Sequence, residues 1–272
     1  MKKVILDLQV RAVERIHQRY VLLRLTAADP LPDMVPGQFV EVRIDSTPAT
    51  FLRRPISICN VLRDENELWL LVAVVGEGTR HLAQLSVGDS LNCVFPLGNG
   101  FSILPPLPLH QQRVSPSTPS PQFSPLLVGG GVGVAPLLYL GAELSRRGFQ
   151  PTFLLGARSG GDLLLLDEFQ RYGRVFVTTE DGSAGERGFV TQHSLLKKEH
   201  FDMIYTCGPT PMMKAVVTYA QKAESTCEAS LENMMACGLG ACLCCVEKTT
   251  EGNLCVCKDG PVFNVKRLLW HE

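Results

Sequence analysis

Six of the ten cysteines in this 272-residue chain lie between residues 237 and 257. So many cysteines in so short a segment indicate one of two structures, because the thiols either pair as disulfides or bind a shared metal centre. The N-terminus carries Lys2 and Lys3 without a long apolar stretch after them, since Asp7, Gln9 and Arg11 interrupt it. This start does not predict an export signal. The cluster is therefore expected to bind a metal or an iron–sulfur centre inside the cell.

The spacing of the first cysteines narrows the kind of centre. Cys237, Cys242 and Cys245 follow an x4-then-x2 step, which is typical of plant-type 2Fe–2S proteins with a fourth cysteine further along the chain. Gly238 and Gly240 allow the loop to bend tightly, so that its amides can point at the sulfides and offset the negative charge.

Alternatives remain for the metal and for the cysteines that bind it. Zinc also suits four thiolates, but its sites usually use paired C-x2-C knuckles, which this step fits poorly. The x2 spacing selects Cys245 over its neighbour Cys244. Spacing alone does not choose between Cys255 and Cys257 as the fourth ligand.

The first hundred residues predict an antiparallel domain. Short β-rich runs alternate with turns rich in Gly, Pro, Asn and Asp. We expect an N-terminal β-barrel over residues 1–103, followed by a Pro/Ser-rich insertion or linker over residues 104–125, which cannot build a packed core. The β-rich runs are Tyr20–Leu25, Gln38–Ile44, Leu68–Val75 and Leu91–Phe95.

The rest of the chain predicts two further units. Strand-like runs alternate with helical stretches over residues 126–227, which indicates a parallel α/β sheet. Residues 228–272 hold the cysteine cluster and are expected to form a small third domain. The predicted fold class is therefore multidomain, with a β domain, an α/β domain and an iron–sulfur domain.

Two elements of the β domain predict a phosphate-bearing ligand. The run Arg54, Pro55, Ile56 and Ser57 offers a cationic fork and a hydroxyl, with the proline fixing the backbone between them. Some twenty residues later, Gly78–Thr79 allows the backbone to approach a phosphate closely. Each element alone also fits an ordinary strand or turn, but together they favour flavin binding.

Two elements of the α/β domain predict a dinucleotide. A glycine-rich turn with Gly130, Gly131 and Gly133 directly follows a strand, although Val134 stands where the strict G-x-G-x-x-G pattern has its third glycine. The run Cys207, Gly208 and Pro209 closes a later strand, at the edge where parallel sheets bind ligands. The alternatives are a structural turn and a small buried cysteine.

The order of these motifs resembles the ferredoxin–NAD(P) reductase superfamily, and within it the electron-transfer subunits of type B dihydroorotate dehydrogenases. The segments 235–242 (MACGLGAC) and 256–263 (VCKDGPVF) carry the closer resemblance. The resemblance implies Cys257 as the fourth cluster ligand and NAD at the glycine turn and the C-G-P run. It also implies FAD at the positions Arg54, Pro55, Ile56, Ser57, Leu71, Val72, Ala73, Gly78 and Thr79.

The same resemblance implies a function. Dihydroorotate reduces FMN on a separate catalytic subunit, and electrons pass through a 2Fe–2S cluster and FAD to NAD⁺, as part of UMP biosynthesis. A heterotetramer with two copies of each subunit is expected. The chain departs from the family's usual form at Cys244, where the family has glycine, at the extra Cys255, and at the Pro/Ser-rich insertion.

Other functions are less well supported. A small subunit of another NAD(P)H–ferredoxin or sulfide oxidoreductase would have the same modules, and a redox-sensing regulator or scaffold would bind the cofactors without turnover. The net charge of −1 gives no basic excess for nucleic acid. No stretch predicts a membrane helix, and we expect a cytoplasmic protein without an acid–base residue for dihydroorotate. Arg158 and Ser159 could contact the 2′-phosphate of NADP, whereas the resemblance favours NAD.

Overall fold

The computed structural model describes residues 2–45, 50–103 and 123–270. Its N-terminal part is a closed six-stranded antiparallel barrel with the strand order β1-β2-β5-β4-β3-β6. A short helix, α1 (Glu77–Leu82), lies between the last two strands. The strands are β1 (Val4–His17), β2 (Tyr20–Thr26), β3 (Phe39–Val42), β4 (Arg54–Leu62), β5 (Glu67–Ala73) and β6 (Ser90–Leu97).

The second part is a seven-stranded sheet with helices between its strands. Its order is β10-β9-β8-β7-β11-β12-β15, parallel except for β15, which pairs antiparallel with β12. The strands are β7 (Pro125–Gly130), β8 (Thr152–Ala157), β9 (Arg174–Thr179), β10 (Glu186–Arg187), β11 (Met203–Cys207), β12 (Thr226–Ser230) and β15 (Val262–Asn264). The helices are α2 (Ala135–Arg146), α3 (Leu166–Gln170), α4 (Leu195–Lys198) and α5 (Thr210–Lys222).

The cysteine-rich part is small. It contains a two-stranded ribbon of β13 (Val246–Thr249) and β14 (Gly252–Cys255), followed by the single turn of α6 (Val256–Asp259). The chain then continues into β15, which pairs with β12 of the large sheet. The cysteine-rich part is therefore connected to the α/β domain at both of its ends. The predicted fold class is confirmed.

Sequence periodicity explains the two main layers. In β1 the burial alternates, with Leu8 and Val10 facing the barrel core and their neighbours facing solvent, as expected for a strand with one buried face. The six residues of β7 are buried throughout, as expected for a parallel strand covered on both faces. Parallel strands of this kind end at one edge of the sheet, and that edge faces the barrel.

Specific contacts fix the barrel against the sheet. The Tyr139 hydroxyl on α2 donates a hydrogen bond to the carbonyl oxygen of Met34 at 2.9 Å. The rings of Phe101 and Tyr205 meet edge to face with centroids 5.5 Å apart. The side-chain amide of Asn99 donates to the carbonyl oxygen of Lys258 at 3.1 Å. The barrel therefore contacts both the parallel sheet and the cysteine-rich part.

The predicted domain limits differ slightly from the elements. Most of the Pro/Ser-rich segment 104–125 lies outside the described residues, but Phe123 packs on Phe149 at 5.1 Å and β7 already begins at Pro125. The expected start of the third domain at residue 228 falls inside β12, where Glu228 pairs with Tyr205 of β11. Within the described part of the chain, no helix is long and apolar enough to cross a membrane.

Candidate functional site

Two cavities lie on either side of the glycine turn that follows β7. The first, the barrel cavity, measures about 320 Å³ and receives Val132 and Ala135 from this turn and the start of α2. The second, the sheet cavity, measures about 520 Å³ and receives Gly130 and Gly131. A ligand in one cavity would therefore be separated from a ligand in the other by a single turn of backbone.

Most of the residues predicted to bind flavin line the barrel cavity. They are Arg54, Pro55, Ile56, Ser57, Leu71, Ala73 and Thr79. Val72 does not line it, because the alternation of β5 turns its side chain into the barrel core. Gly78 lies beneath Arg54, where an added Cβ would stand 3.0 Å from the arginine Nε.

A local hydrogen-bond pattern shapes the loop beside Arg54. The Thr79 hydroxyl oxygen accepts hydrogen bonds from the N–H groups of Val75 and Gly76 at 2.9 Å and 3.0 Å. Without a side chain at residue 78, this loop approaches the arginine closely. The cavity thus combines a cationic fork with a closely approaching glycine backbone, as expected where a diphosphate is bound.

The residues predicted to bind NAD divide into two groups. Gly130, Gly131 and Pro209 line the sheet cavity. Gly133 and Gly208 instead pack on each other, since a Cβ on Gly133 would stand 2.5 Å from the Gly208 Cα. This close approach brings the glycine turn against the C-G-P run.

Cys207 is fully buried and does not line the sheet cavity. Its Sγ atom lies 3.9 Å from Oε1 of Glu232. Burial and the nearby Glu232 raise the pKa of the Cys207 thiol well above its usual range. Glu232 lines the barrel cavity and is exposed as a whole, but the protein atoms around its carboxyl reduce hydration there and raise its pKa. The end of β11 therefore places a neutral thiol beside a carboxyl that lines the barrel cavity.

Sequence reasoning missed the segment that connects the barrel cavity to the cysteines. This segment, the bridging segment, comprises residues 231–235 and directly follows β12. All five of its side chains line the barrel cavity: Leu231, Glu232, Asn233, Met234 and Met235. Only Ala236 separates it from Cys237. Its position after a sheet strand was the available signal, because the carboxyl edge of the sheet faces the barrel.

The cysteine loop shows the hydrogen bonds expected around sulfur ligands. Backbone N–H groups donate to the Cys237 sulfur from Leu239 at 3.4 Å, and to the Cys257 sulfur from Gly240 at 3.1 Å. The N–H of Cys257 donates to the Cys245 sulfur at 3.3 Å. These bonds favour thiolates, so the loop fits an iron–sulfur cluster held by the predicted cysteines.

The two loop glycines have backbone conformations that L side chains rarely adopt. Gly238 has φ +65° and Gly240 has φ +83°. A Cβ on Gly240 would stand 2.8 Å from the Cδ atom of Lys258, and one on Gly238 would stand 2.7 Å from the Cγ atom of Glu41. The loop therefore bends tightly while pressed between α6 and the barrel.

The cysteines differ in their surroundings. Burial opposes ionisation of Cys237, but hydrogen bonds from the Leu239 and Cys242 amides lower its pKa to about 6. Burial raises the pKa of Cys257 to about 12. Cys242 and Cys244 are exposed, whereas Cys255 is buried. Within the described residues, no three His, Cys, Asp or Glu side chains are placed to hold a single metal ion.

Glu41 is a second residue that sequence reasoning missed. Its side chain is buried on β3, against the cysteine loop at Gly238. Neither carboxylate oxygen has a hydrogen-bond partner within the described residues. Burial raises the pKa of this carboxyl to about 7, although Arg53 partly offsets the effect. A carboxyl of variable charge thus lies between the barrel and the cysteine loop.

Family profiles match the two C-terminal parts of the chain. The profile described as the iron–sulfur cluster binding domain of dihydroorotate dehydrogenase B covers residues 232–269. The oxidoreductase NAD-binding domain covers residues 127–218. Each range contains the corresponding predicted motif.

Close relatives extend the likeness over most of the chain. An electron transfer subunit of dihydroorotate dehydrogenase B (NAD(+)) from Fusobacterium nucleatum is 39% identical over 236 residues, covering 84% of each chain. The subunit of the same description from Listeria monocytogenes is 42% identical over 234 residues, covering 85% of this chain and 86% of the relative. The chain belongs to the family of dihydroorotate dehydrogenase B electron transfer subunits. The resemblance to this family that the motifs predicted is confirmed.

Solved structures agree with the family assignment. A chain from the NADH-dependent reduced ferredoxin–NADP oxidoreductase structure superposes with a TM-score of 0.82 at 29% identity, covering 97% of this family member and 90% of that chain. The ferredoxin reductase of carbazole 1,9a-dioxygenase gives a TM-score of 0.64 at 19% identity, covering 83% and 67% of the two chains. The second likeness shows the reductase fold alone.

Proposed function

We propose that this chain is an oxidoreductase subunit that passes electrons from dihydroorotate oxidation to NAD⁺ in pyrimidine biosynthesis. The relatives named electron transfer subunits imply a catalytic partner subunit. We propose that this partner holds FMN and the dihydroorotate site, and that two copies of each subunit assemble. The observation that supports this function best is the bridging segment, which lines the barrel cavity and leads directly into the cysteine loop.

The residues of the barrel cavity would bind and orient FAD. Arg54 and Ser57 supply the cation and the hydroxyl for the diphosphate, and Gly78 allows the backbone to approach it. When bound, FAD exchanges single electrons with an iron–sulfur cluster and an electron pair with a nicotinamide. The side chains of the bridging segment line the same cavity and would contact FAD between the barrel and the cysteine loop.

The residues of the cysteine loop would hold the cluster. Cys237, Cys242, Cys245 and Cys257 are the proposed ligands. Amides of the loop and of α6 donate to three of these sulfurs, which stabilises the negative charge of the assembled centre. Cys242 is exposed, so the proposed centre lies near the surface, where electrons from a partner subunit can enter.

The residues at the sheet cavity would bind NAD. Gly130 and Gly131 offer backbone N–H groups to the pyrophosphate at the end of β7. The contact between Gly133 and Gly208 keeps the C-G-P run beside this turn. Since the same turn borders the barrel cavity, a nicotinamide here lies next to the proposed flavin.

Purification of the chain with its bound cofactors tests this function. We expect flavin and 2Fe–2S absorption together, and NADH-dependent reduction of an artificial dye by the isolated chain. Absence of either chromophore would refute the proposed electron path. Negligible dye reduction by fully loaded protein would instead favour a regulator or scaffold.

A further inference from the structure

The hairpin between β1 and β2 of the barrel reaches into the sheet cavity. Arg19 and Tyr20 of this hairpin line the cavity together with Asp162, which follows β8. The Arg19 guanidinium donates a hydrogen bond from Nη2 to Oδ1 of Asp162 at 2.8 Å. The nucleotide site is thus completed by a side chain from the other domain.

Asp162 also holds a second group. The hydroxyl of Ser159 donates to its Oδ2 atom at 2.8 Å. These hydrogen bonds, from Ser159 first and then Arg19, lower the pKa of the Asp162 carboxyl, which is therefore charged at neutral pH. Guanidinium and hydroxyl groups are common phosphate ligands. The Asp162 carboxylate therefore already binds the Arg19 guanidinium and the Ser159 hydroxyl, two groups that could otherwise bind a phosphate.

The position of this pair corresponds to the adenosine end of the cavity. A pyrophosphate at Gly130 and Gly131 lies at the end of β7, while β8 and β9 continue away from β11. Thr178 and Glu180, at the end of β9, line this end. The Thr178 hydroxyl is buried and has no hydrogen-bond partner within the described residues. An unpaired hydroxyl thus lies at this end of the cavity.

The charges at this end balance. Arg19 and Arg158 carry positive charge, and Asp162 and Glu180 carry negative charge. A ribose 2′-hydroxyl suits a carboxylate acceptor such as Glu180, whereas a 2′-phosphate requires an available cation. Arg158 is exposed, and it lines the same cavity as Glu180. The balance therefore favours a nucleotide without the 2′-phosphate.

We propose that Asp162 makes the site selective for NAD over NADP by holding Arg19 and Ser159, so that Arg19 is a latent ligand for a 2′-phosphate. The selectivity arises between two domains, because the cation comes from the barrel and its counter-ion from the sheet. The inference rests on the proposed nucleotide site and adds its specificity-determining residues.

Binding of two adenosine nucleotides tests the inference without relying on turnover. Adenosine 5′-monophosphate and adenosine 2′,5′-bisphosphate are titrated calorimetrically into the cofactor-loaded protein. The variants are Asp162→Asn, Arg19→Gln and the double variant. We expect Asp162→Asn to bind the bisphosphate about 10-fold more tightly, with a change of less than about 3-fold for the monophosphate. The double variant should lose this gain.

Kinetics give an independent readout. The ratio of kcat/KM for NADPH to that for NADH should rise about 10-fold in Asp162→Asn and return to the wild-type ratio in the double variant. No gain in Asp162→Asn would overturn the inference. A gain that survives Arg19→Gln would overturn it as well, because Asp162 would then act only by repulsion.

Two further measurements keep the test decisive. Asp162→Ser, whose side chain is too short to reach Arg19, should show the same gain for the bisphosphate if Asp162→Asn does not fold. Wild-type protein that neither binds the monophosphate nor oxidises NADH would contradict the proposed function itself. Wild-type protein that does both, with variants of unchanged selectivity, would contradict only the inference.

Discussion

The backbone N–H of Gly240 donates a hydrogen bond to the Sγ atom of Cys257 at 3.1 Å. This bond joins the tight loop of the first three cysteines to the start of α6. A sulfur that accepts such a bond is prepared for a negative charge, because the amide stabilises the thiolate. The contact favours Cys257 as the fourth ligand, a choice that the spacing of the cysteines leaves open.

Exchange of single cysteines tests the fourth ligand. Cys257→Ser should lose the 2Fe–2S absorption, because a weaker ligand replaces a thiolate that the loop supports. Cys255→Ser is the matched control, two residues away and also buried, and should keep iron and sulfide at wild-type levels. The reverse pattern in the iron and sulfide content would assign the ligand to Cys255.

Gly240→Ala tests the geometry of the loop. A methyl group there would meet the Lys258 side chain at 2.8 Å, in addition to the strain of φ +83°. We expect the cluster to be lost several times faster in air, as followed by the decay of its visible absorption. The matched control is Gly252→Ala, where φ is +98° but no atom lies within 4 Å of the added Cβ. It should lose about 1 kcal/mol of stability and keep its cluster. Equal decay rates in the two variants would argue against the role of the clash.

Glu41 predicts a dependence of stability on pH. Burial raises its pKa from 4.5 to about 7, so the folded state favours the protonated carboxyl. The resulting stabilisation is full below pH 4.5 and is lost as the pH rises through 7. Glu41→Gln should therefore reduce the fall in unfolding free energy between pH 4.5 and 7 by about 3 kcal/mol.

Urea titrations at several pH values measure this effect. The control is Glu65→Gln, which removes an exposed carboxyl from the same barrel and should leave the profile unchanged. An unaltered pH profile in Glu41→Gln would mean that the pKa of Glu41 is the same in the folded and unfolded states, which would contradict the effect of burial.

Gly133→Ala tests the contact between the glycine turn and the C-G-P run. The new Cβ would stand 2.5 Å from backbone atoms of Gly208, which cannot move aside as a side chain can. We expect at least a 10-fold lower kcat/KM for NADH in dye reduction, with flavin content retained. In Gly161→Ala the nearest atom is the Ser159 hydroxyl at 3.9 Å, so its rate should stay within about 2-fold of wild type. Similar losses in both variants would show that the Gly133 contact has no special role.

Local motifs predicted much of this molecule. The run from Arg54 to Ser57 forms one wall of the barrel cavity, and it was found because a cation, a proline and a hydroxyl are adjacent in sequence. The loop containing Gly238 and Gly240 was also predicted, because the cysteines on either side of it are close together in sequence. Where neighbouring residues bind one group, spacing alone is informative.

Residues brought together by domain packing could not be found in this way. Arg19 meets Asp162 across 143 positions of sequence, and nothing around Arg19 distinguishes it from other surface arginines. Glu41 resembles any polar residue of a β-strand until the cysteine loop packs on it. The predicted boundary at residue 228 lies within β12, which continues directly into the bridging segment without a change of composition.

The first strand of the barrel has a clear signal in the sequence. The alternation of apolar and polar residues around Leu8 and Val10 predicts a strand, and β1 (Val4–His17) follows that pattern. Asp7 and Arg11 interrupt the apolar stretch at the N-terminus. The same polar residues are what a half-exposed strand of a barrel requires.

The most direct test of the proposed function is reconstitution with the catalytic partner subunit, which we propose holds FMN. The measurement is dihydroorotate-dependent reduction of NAD⁺ by the purified complex, followed by the absorbance of NADH. We predict turnover with the wild-type chain, and its loss with Cys257→Ser while dihydroorotate still reduces the partner's FMN. A complex that contains all its cofactors but forms no NADH from dihydroorotate would contradict this account, as would wild-type turnover by the Cys257→Ser complex.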